Sequence, residues 1–447
     1  MMYRPIAFSC ALLLSVGSAC AQNPGQNTSP RATALIIVDN TVYPEIKTGL
    51  ATYAAHVLKQ HNVACQIRPD DYYDMKPVDI RAILKAAYET PATTREPRLV
   101  GAIMVGPIPH ALRGDPNSVL IPTPLYYEDF EAKWVDKNGD GVFEEIITDR
   151  KTNPTEIWTA WWVPPANDRP TQTKLLKVWL DKLDRYYRDE ITGRDQMLWL
   201  AGNVINVEIC EGWTVLLKDT MQPLDQELKI WCRVGQDAGT YRPNKRAEEF
   251  SPRDFLAAFT LKPWQHCHII GHGNARGWYW GNTGVVAAAR GDGNPEWTLL
   301  MDLSTFKGTA GNIVTTSGCS NGNFRGAYIG PEYDKSIGNL LLFSPDTITI
   351  AYYGAASPQS TSGFAGYCTE IVESLKTDGG SYIAEGYYKM RNSDYSWGTQ
   401  HYFFRGGDEK VLSGDPFARY RPSVAPSATE LTEEQKNAVK RWTVVGE

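Results

Sequence analysis

The chain has 447 residues, of which 42% are hydrophobic and 21% are charged, and this composition is typical of a globular protein with two or three domains. Its formal net charge of −6 argues against a nucleic-acid partner, because nucleic acids favour a basic surface. Beyond the N-terminal segment no apolar stretch is long enough to cross a bilayer, so we expect no membrane span.

The N-terminus has the pattern of an export signal. Arg4 supplies a positive charge, an apolar run follows from Ile6 to Val16, and Ala19-Cys20-Ala21 offers small residues at the two positions that a signal peptidase reads. This pattern predicts a signal peptide over residues 1–21 and a secreted, periplasmic or cell-surface protein. Cys20 also allows a lipid anchor, but we favour plain cleavage after Ala21.

Strands and helices alternate through the first half of the chain. After a polar linker over residues 22–32, an apolar run predicts a buried strand, and a helical repeat then places Ile46, Leu50, Tyr53 and Val57 on one stripe. The predicted elements are the strands Ala34–Val38, Cys65–Arg68 and Leu99–Val105 and the helices Tyr43–Gln60 and Pro77–Tyr88. Such alternation predicts a parallel sheet with helices on both faces.

A second unit of the same kind follows an amphipathic helix from Pro170 to Tyr187, which we expect to connect the two. Its predicted strands are Gln196–Ala201, Leu228–Val234, Gln265–Ile270, Asn312–Thr316 and Thr347–Tyr352, with helices at Trp213–Gln222 and Pro252–Phe259. We therefore predict an α/β fold of two doubly wound, mostly parallel sheets. The first unit covers residues 33–168, the second covers residues 169–422, and a tail follows over residues 423–447.

Two glycine-flanked residues at strand ends carry the strongest chemical signal. His272 lies between Gly271 and Gly273 after one predicted strand, and Cys319 follows Gly318 after another. Because the carboxyl ends of parallel strands meet at one sheet edge, the two side chains are expected to lie close together. A thiolate nucleophile beside a histidine acid–base suits acyl transfer, and the N–H groups of Gly273 and Cys319 are candidate oxyanion donors. A lone cysteine or histidine is more often a packed core residue, so the interpretation depends on the pair.

These segments resemble the catalytic segments of gingipain-type cysteine peptidases, a family with a caspase-like fold. The matching residues are His272-Gly273 with Trp278, and Ser317-Gly-Cys319-Ser-Asn321-Gly-Asn-Phe324. Looser matches extend over residues 33–422 and include Tyr126-Tyr127, Pro154–Trp158, Tyr353–Ser357 and Gly414-Asp415-Pro416. The resemblance implies a caspase-like catalytic unit in residues 169–422 that cleaves a protein or peptide substrate through Cys319 and His272, without a catalytic cofactor.

The resemblance also implies roles for residues around the pair. Some members orient the histidine with a carboxylate, and Glu208 and Glu211 lie at about the right distance in sequence; we choose Glu211. The segment from Tyr353 to Thr361 resembles the wall of the primary specificity pocket. We therefore expect substrate to bind Trp278, Tyr353, Gly354, Ala355 and Ser357.

An acidic loop in the first unit is a candidate calcium site. The spacing Asp136-x-Asn138-x-Asp140-Gly141 supplies alternating oxygen ligands for a hard cation, with Val142 at the seventh place and Glu144 beyond it. The twelfth place is Ile147, so the bidentate glutamate of an EF-hand is missing. Asx-Gly turns share this pattern without a metal, so both interpretations stay open.

Other readings of the same residues remain. His266, Cys267, His268 and His272 could be read as zinc ligands, although no carboxylates at fixed spacing accompany them. The same dyad could serve a transpeptidase or processing enzyme, in which an amine captures the acyl group. A non-catalytic, calcium-stabilised surface binding protein is the alternative from another class.

Overall fold

The computed structural model describes most of the first half of the chain and the strands of the second. The described residues are 29–91, 97–114, 120–147, 154–191, 193–201, 229–232, 263–270, 272–274, 277–279, 285–287, 299–302, 311–316, 318, 321–323, 336–356, 371, 375, 381–392 and 410–420. The predicted signal peptide, the helices at Trp213–Gln222 and Pro252–Phe259 and the C-terminal tail lie outside them.

The described elements are six α-helices, a 3₁₀-helix at Tyr72–Asp74 and nineteen strands. The helices are α1 (Tyr43–His61), α2 (Pro77–Glu89), α3 (Leu125–Glu128), α4 (Arg169–Tyr187), α5 (Ile337–Phe343) and α6 (Ile383–Arg391). The strands are β1 (Ala32–Asp39), β2 (Val63–Asp70), β3 (Leu99–Val105), β4 (Leu112–Arg113), β5 (Ile121–Pro122), β6 (Lys133–Val135), β7 (Val142–Phe143), β8 (Glu145–Ile147), β9 (Trp158–Trp162), β10 (Arg194–Ala201), β11 (Lys229–Cys232), β12 (Trp264–Ile270), β13 (His272–Asn274), β14 (Gly277–Tyr279), β15 (Val285–Ala287), β16 (Leu299–Asp302), β17 (Ile313–Thr316), β18 (Ala351–Ala355) and β19 (Lys410–Gly414).

Ten of these strands form one large sheet. Their order is β11-β10-β12-β17-β18-β19-β9-β3-β1-β2, and every neighbouring pair is parallel except β18 and β19. Strand direction therefore reverses once, between β18 and β19. A second sheet of four strands, β13-β14-β15-β16, follows directly from the end of β12.

The α/β class and the mostly parallel pairing are confirmed, but the two sheets we predicted are halves of one. The link is β19, a strand from the end of the chain that pairs with β18 at five positions and with β9 through Ser413 and Trp161. Sequence periodicity did not reveal β9 or β19, because both are five-residue strands buried on both faces, without an alternating pattern.

The first half folds as its hydrophobic pattern predicts. All eight residues of β1 are buried, and the predicted stripe on α1 (Ile46, Leu50, Tyr53 and Val57) is buried in the core. Helix α1 ends where Asn62 takes the left-handed conformation, with φ 54°, and its N–H bonds the Leu58 carbonyl.

Helix α4 packs against both halves, as a connector should. Its Asp184 carboxylate lies 2.8 Å from the His56 imidazole on α1, and its Trp179 ring packs against Trp162 of β9 and Phe343 of α5. On the α5 side, buried Lys182 donates from Nζ to the Leu341 and Leu342 carbonyls at the end of α5, and burial lowers the pKa of this amine well below its usual value.

Strand β18 begins four residues later than predicted. Residues 347–350 instead make hydrogen bonds to α5 and α4. The Thr347 hydroxyl donates to the Leu341 carbonyl, and Lys182 Nζ donates to Thr347 Oγ1 and to the Thr349 carbonyl.

Within the described part of the chain, no helix is both long and apolar enough to cross a membrane.

Candidate active site

The two predicted catalytic segments leave the same edge of the large sheet. Strand β12 pairs in parallel with β17, with Ile269 beside Thr316, and β17 pairs in parallel with β18. The turns that follow β12 and β17 are therefore neighbours. His272 opens β13 and its backbone pairs with Tyr279 of β14, so a hairpin begins where β12 ends.

The start of the hairpin, which carries Gly273, and the turn that carries Gly318 meet at Asn321. A Cβ at either glycine would lie under 3.0 Å from Asn321 Oδ1, closer than real Cβ atoms come, and Asn321 is fully buried. The absence of a side chain at both glycines is therefore a packing requirement. Of the predicted catalytic residues, Cys319 and Glu211 lie outside the described residues, and the structure describes His272 and Gly273 through their backbone.

A second contact ties the cysteine turn to the end of β18. Gly322 donates its N–H to the Ala355 carbonyl at 2.7 Å, and a Cβ on Gly322 would collide with the Gly354 carbonyl. The backbone of Gly354 and Ala355 thus borders the turn. Ser357 lies outside the described residues.

Two predicted substrate-binding side chains lie behind the site rather than on its surface. Trp278 is fully buried, and its indole N–H donates to Thr316 Oγ1 at 3.1 Å. Tyr353 is 1% exposed, and its hydroxyl contacts the Met390 sulfur at 3.7 Å on α6. Both side chains are packed in the core, whereas the sequence predicts that they bind substrate.

The histidines of β12 form a buried polar cluster on the face of the sheet opposite Thr316. His266 Nε2 and His268 Nδ1 each lie 2.7 Å from Thr315 Oγ1, and His266 Nδ1 also bonds the Tyr420 hydroxyl. Burial lowers the pKa of both imidazoles, that of His268 to about 3, so both are neutral near pH 7. A zinc site is disfavoured, because Thr315 hydrogen-bonds both imidazoles and Cys267 lies on the other face of the sheet.

Cys267 is a poor candidate nucleophile. It is fully buried on the strand beside β17, and burial raises the pKa of its thiol, so the reactive thiolate is scarce near neutral pH. Cys65, the other free cysteine among the described residues, lies on β2 at the opposite end of the strand order.

The acidic loop brings three carboxylates together. One oxygen from each of Asp136, Asp140 and Glu144 lies within 4.8 Å of the others. Backbone N–H groups of Gly141 and Gly139 hydrogen-bond the Asp136 carboxylate and hold its pKa below the usual value.

The remaining predicted ligands lie in the same loop. Asn138 Oδ1 accepts from the Asp140 N–H, and the Val142 N–H donates to Asp140 Oδ1. Both glycines of the loop have positive φ, 77° at Gly139 and 86° at Gly141, as a tight turn around a carboxylate needs. These hydrogen bonds also fit an Asx-Gly turn without a metal.

Comparison with known proteins gives a fold but no family. No family model matches the chain, and no curated protein matches it. A solved protease structure is similar with a TM-score of 0.58 and 12% identity, over 88% of this chain and 80% of the protease chain. A chain of the Saccharomyces cerevisiae separase–securin complex is similar with a TM-score of 0.34 and 12% identity, over 61% of this chain and 17% of that one, which is too weak to carry an argument.

The chain therefore shares the fold of a solved protease. A caspase-like catalytic unit and membership of the gingipain-type family stay predictions.

Sequence reasoning gave no role to two residues that organise the site. Asn321 and Thr316 are both fully buried and both hydrogen-bond across the two turns. The sequence feature that could have identified this contact is the pair Thr315-Thr316 at the end of an apolar strand, because buried hydroxyls require hydrogen-bond partners.

Proposed function

We propose that the protein is an exported cysteine endopeptidase that cleaves peptide bonds through a Cys319 thioester, with His272 as general acid and base. We further propose that the chain is of the gingipain type, that residues 1–21 are a signal peptide and that the Glu211 carboxylate orients His272.

One observation carries the proposal: the glycine beside His272 and the glycine beside Cys319 pack against the same buried side chain, that of Asn321. Two turns from different strands that meet at one residue bring the segments of a nucleophile and an acid–base together. The fold shared with a solved protease agrees with this arrangement.

The proposed reaction has two steps. The Cys319 thiolate forms a C–S bond to the scissile carbonyl, the N–H groups of Gly273 and Cys319 stabilise the oxyanion, and His272 protonates the amine as the C–N bond breaks. Water then attacks the thioester, gives its proton to His272, and the thiolate leaves with the acid product released.

The test compares the wild-type protein with Cys319→Ala on a diverse peptide library under reducing conditions, with cleavage read by mass spectrometry. Cys65→Ala is the matched control, because it removes a thiol at the far end of the sheet. We expect cleavage in the wild type and the control and none in Cys319→Ala. Cleavage that survives in Cys319→Ala would refute the proposed nucleophile.

Two further measurements separate the alternatives. Added amine nucleophiles should yield ligated products if the enzyme is a transpeptidase, because the thioester is then captured before water reaches it. A non-catalytic binding protein should show no cleavage, and its Cys319 should alkylate near neutral pH no faster than its other cysteines.

We also propose that the acidic loop binds a structural calcium ion through Asp136, Asn138, Asp140 and Glu144 and the Val142 backbone. The close approach of three carboxylates supports this proposal, because a hard cation offsets their mutual repulsion. Calcium should raise the melting temperature of the wild type and of the control Glu131→Gln, an exposed acid outside the loop, but not of Asp136→Asn. If chelation leaves the wild-type melting temperature unchanged, no ion is bound there.

A further inference from the structure

Asn321 joins the two turns of the candidate site through hydrogen bonds as well as packing. Its Nδ2 donates to the Gly277 carbonyl at 2.9 Å, which belongs to the hairpin that begins at His272. Its Oδ1 lies 3.3 Å from Thr316 Oγ1, at the end of the strand that leads to Cys319. One buried amide therefore binds the histidine hairpin with one end and the cysteine strand with the other.

The partners fix which way the amide points. The Gly277 carbonyl can only accept, so the NH₂ group must face it, and the amide oxygen then faces the Thr316 hydroxyl. The same hydroxyl accepts from the Trp278 indole at 3.1 Å and from the Gly318 N–H at 3.1 Å, so its own proton is available for Asn321. Donors and acceptors match throughout this cluster, and the match requires an amide: a carboxylate would face the Gly277 carbonyl without a proton to donate.

The packing leaves the amide little freedom. Both Gly273 and Gly318 lie so close to Asn321 that neither position has room for a Cβ, and Asn321 has no exposed surface. A movement of the side chain would therefore displace at least one of the two turns. Close-packed interiors transmit such shifts instead of absorbing them.

We propose that Asn321 is a positioning residue that sets the distance and orientation between His272 and Cys319. The inference rests on the proposed function, since it assigns these two residues to the reaction. Its described contacts act on the backbone of Gly277 and on the Thr316 hydroxyl. Because small errors of alignment in a reacting pair are costly, loss of the amide should affect turnover far more than substrate binding.

The test uses Asn321→Asp, which keeps the size of the side chain and removes the donor. The matched control is Asn339→Asp, because Asn339 is also buried, on α5, outside the candidate site. Turnover is measured with the peptide found in the library experiment, unfolding with urea, and thiol reactivity by the rate at which iodoacetamide alkylates Cys319 between pH 5 and pH 9.

We expect Asn321→Asp to lower kcat by about 100-fold with KM nearly unchanged, and to shift the pH profile of Cys319 alkylation. Asn339→Asp should lose stability but keep kcat and the alkylation profile. A wild-type kcat in Asn321→Asp would overturn the inference. So would an equal fall in kcat in Asn339→Asp at equal loss of stability, because the effect would then be one of folding.

The alkylation profile separates this inference from the proposed function. If the wild type cleaves no peptide, the proposed peptidase fails, and the profile alone decides whether Asn321 controls the environment of Cys319. An identical profile in the wild type and Asn321→Asp then overturns the positioning role, and a shifted profile supports it.

Discussion

A buried ion pair braces the strand that joins the two halves of the sheet. Glu128 at the end of α3 is 0% exposed and Arg391 at the end of α6 is 1% exposed, and Arg391 Nε lies 3.1 Å from Glu128 Oε2. Arg391 Nη2 also donates to the Lys410 carbonyl at 2.6 Å, where β19 begins. The other carboxylate oxygen of Glu128 accepts from Thr159 Oγ1 at 2.7 Å and the Tyr387 hydroxyl at 2.9 Å.

Replacing Arg391 with methionine should therefore be strongly destabilising. The substitution keeps much of the side-chain volume but leaves the Glu128 carboxylate buried without a counter-charge, and removal of one partner from a buried pair costs about 3–5 kcal/mol. That loss is a large share of the roughly 5–15 kcal/mol by which folded proteins are stable. Urea unfolding followed by tryptophan fluorescence measures the free energy of unfolding.

The double variant Glu128→Gln/Arg391→Met isolates the cause. A glutamine at position 128 still accepts from Thr159 and Tyr387 but carries no charge, so the double variant should recover about 2 kcal/mol relative to Arg391→Met alone. The reasoning is refuted if Arg391→Met costs less than about 1 kcal/mol, or if the double variant is no more stable than the single one.

Three further outcomes follow from the core. Gly101→Ala should cost about 1–3 kcal/mol in urea unfolding, because its Cβ would lie under 3.0 Å from atoms of the Trp158 ring, and Trp158→Leu in the same chain should restore part of the loss. Asp415→Ala should cost about 3 kcal/mol, because two buried tyrosine hydroxyls lose their acceptor; Asp415→Asn should cost less. Burial, helped by Lys410, lowers the pKa of His268 from 6.5 to about 3, so the unfolded chain binds the extra proton between these values and stability falls as the pH drops below about 6.5. His268→Gln should reduce the slope of stability against pH near pH 5 by about 1.4 kcal/mol per pH unit, and an unchanged slope would contradict the shift.

Local patterns predicted the elements of the first half closely. The strand predicted at Leu99–Val105 has those bounds in the structure, and the helix predicted from Tyr43 ends one residue later than expected. The helix has a helical hydrophobic repeat and the strand is a short continuous apolar run, so repeat and length together decide between helix and strand without a distant contact.

Pairing across the sheet was not predictable in this way. The union of the two halves depends on β19, whose partner β18 lies more than fifty residues earlier in the chain. A five-residue buried strand has no periodicity that reveals its neighbours, and its direction is set by the connection that precedes it. Residues 347–350 were predicted as strand because they are apolar and β-branched, yet contacts with Lys182 and the end of α5 decide their conformation.

For the candidate site, sequence predicted the two turns but not what holds them. The sequence predicts an oxyanion donor at Gly273 and a glycine-flanked nucleophile, whereas in the structure Gly273 and Gly318 also make room for Asn321. That function appears only when both turns are assembled, because the contact joins residues from separate strands.

Strand direction reverses between β18 and β19, so the strands of the two halves end at different edges of the sheet. Strands β1, β3 and β9 run opposite to β12 and β17, so their carboxyl ends lie at the other edge of the sheet. At that far edge, Asp39 is the last residue of β1, and its carboxylate accepts hydrogen bonds from the N–H groups of Thr41 and Tyr73. The first half therefore contacts the half that carries the candidate site through the β18–β19 pairing and through α4, away from the two catalytic segments. Gly101→Ala should accordingly lower stability while the folded protein keeps its kcat, and Asn321→Asp should lower kcat by far more than its effect on stability explains.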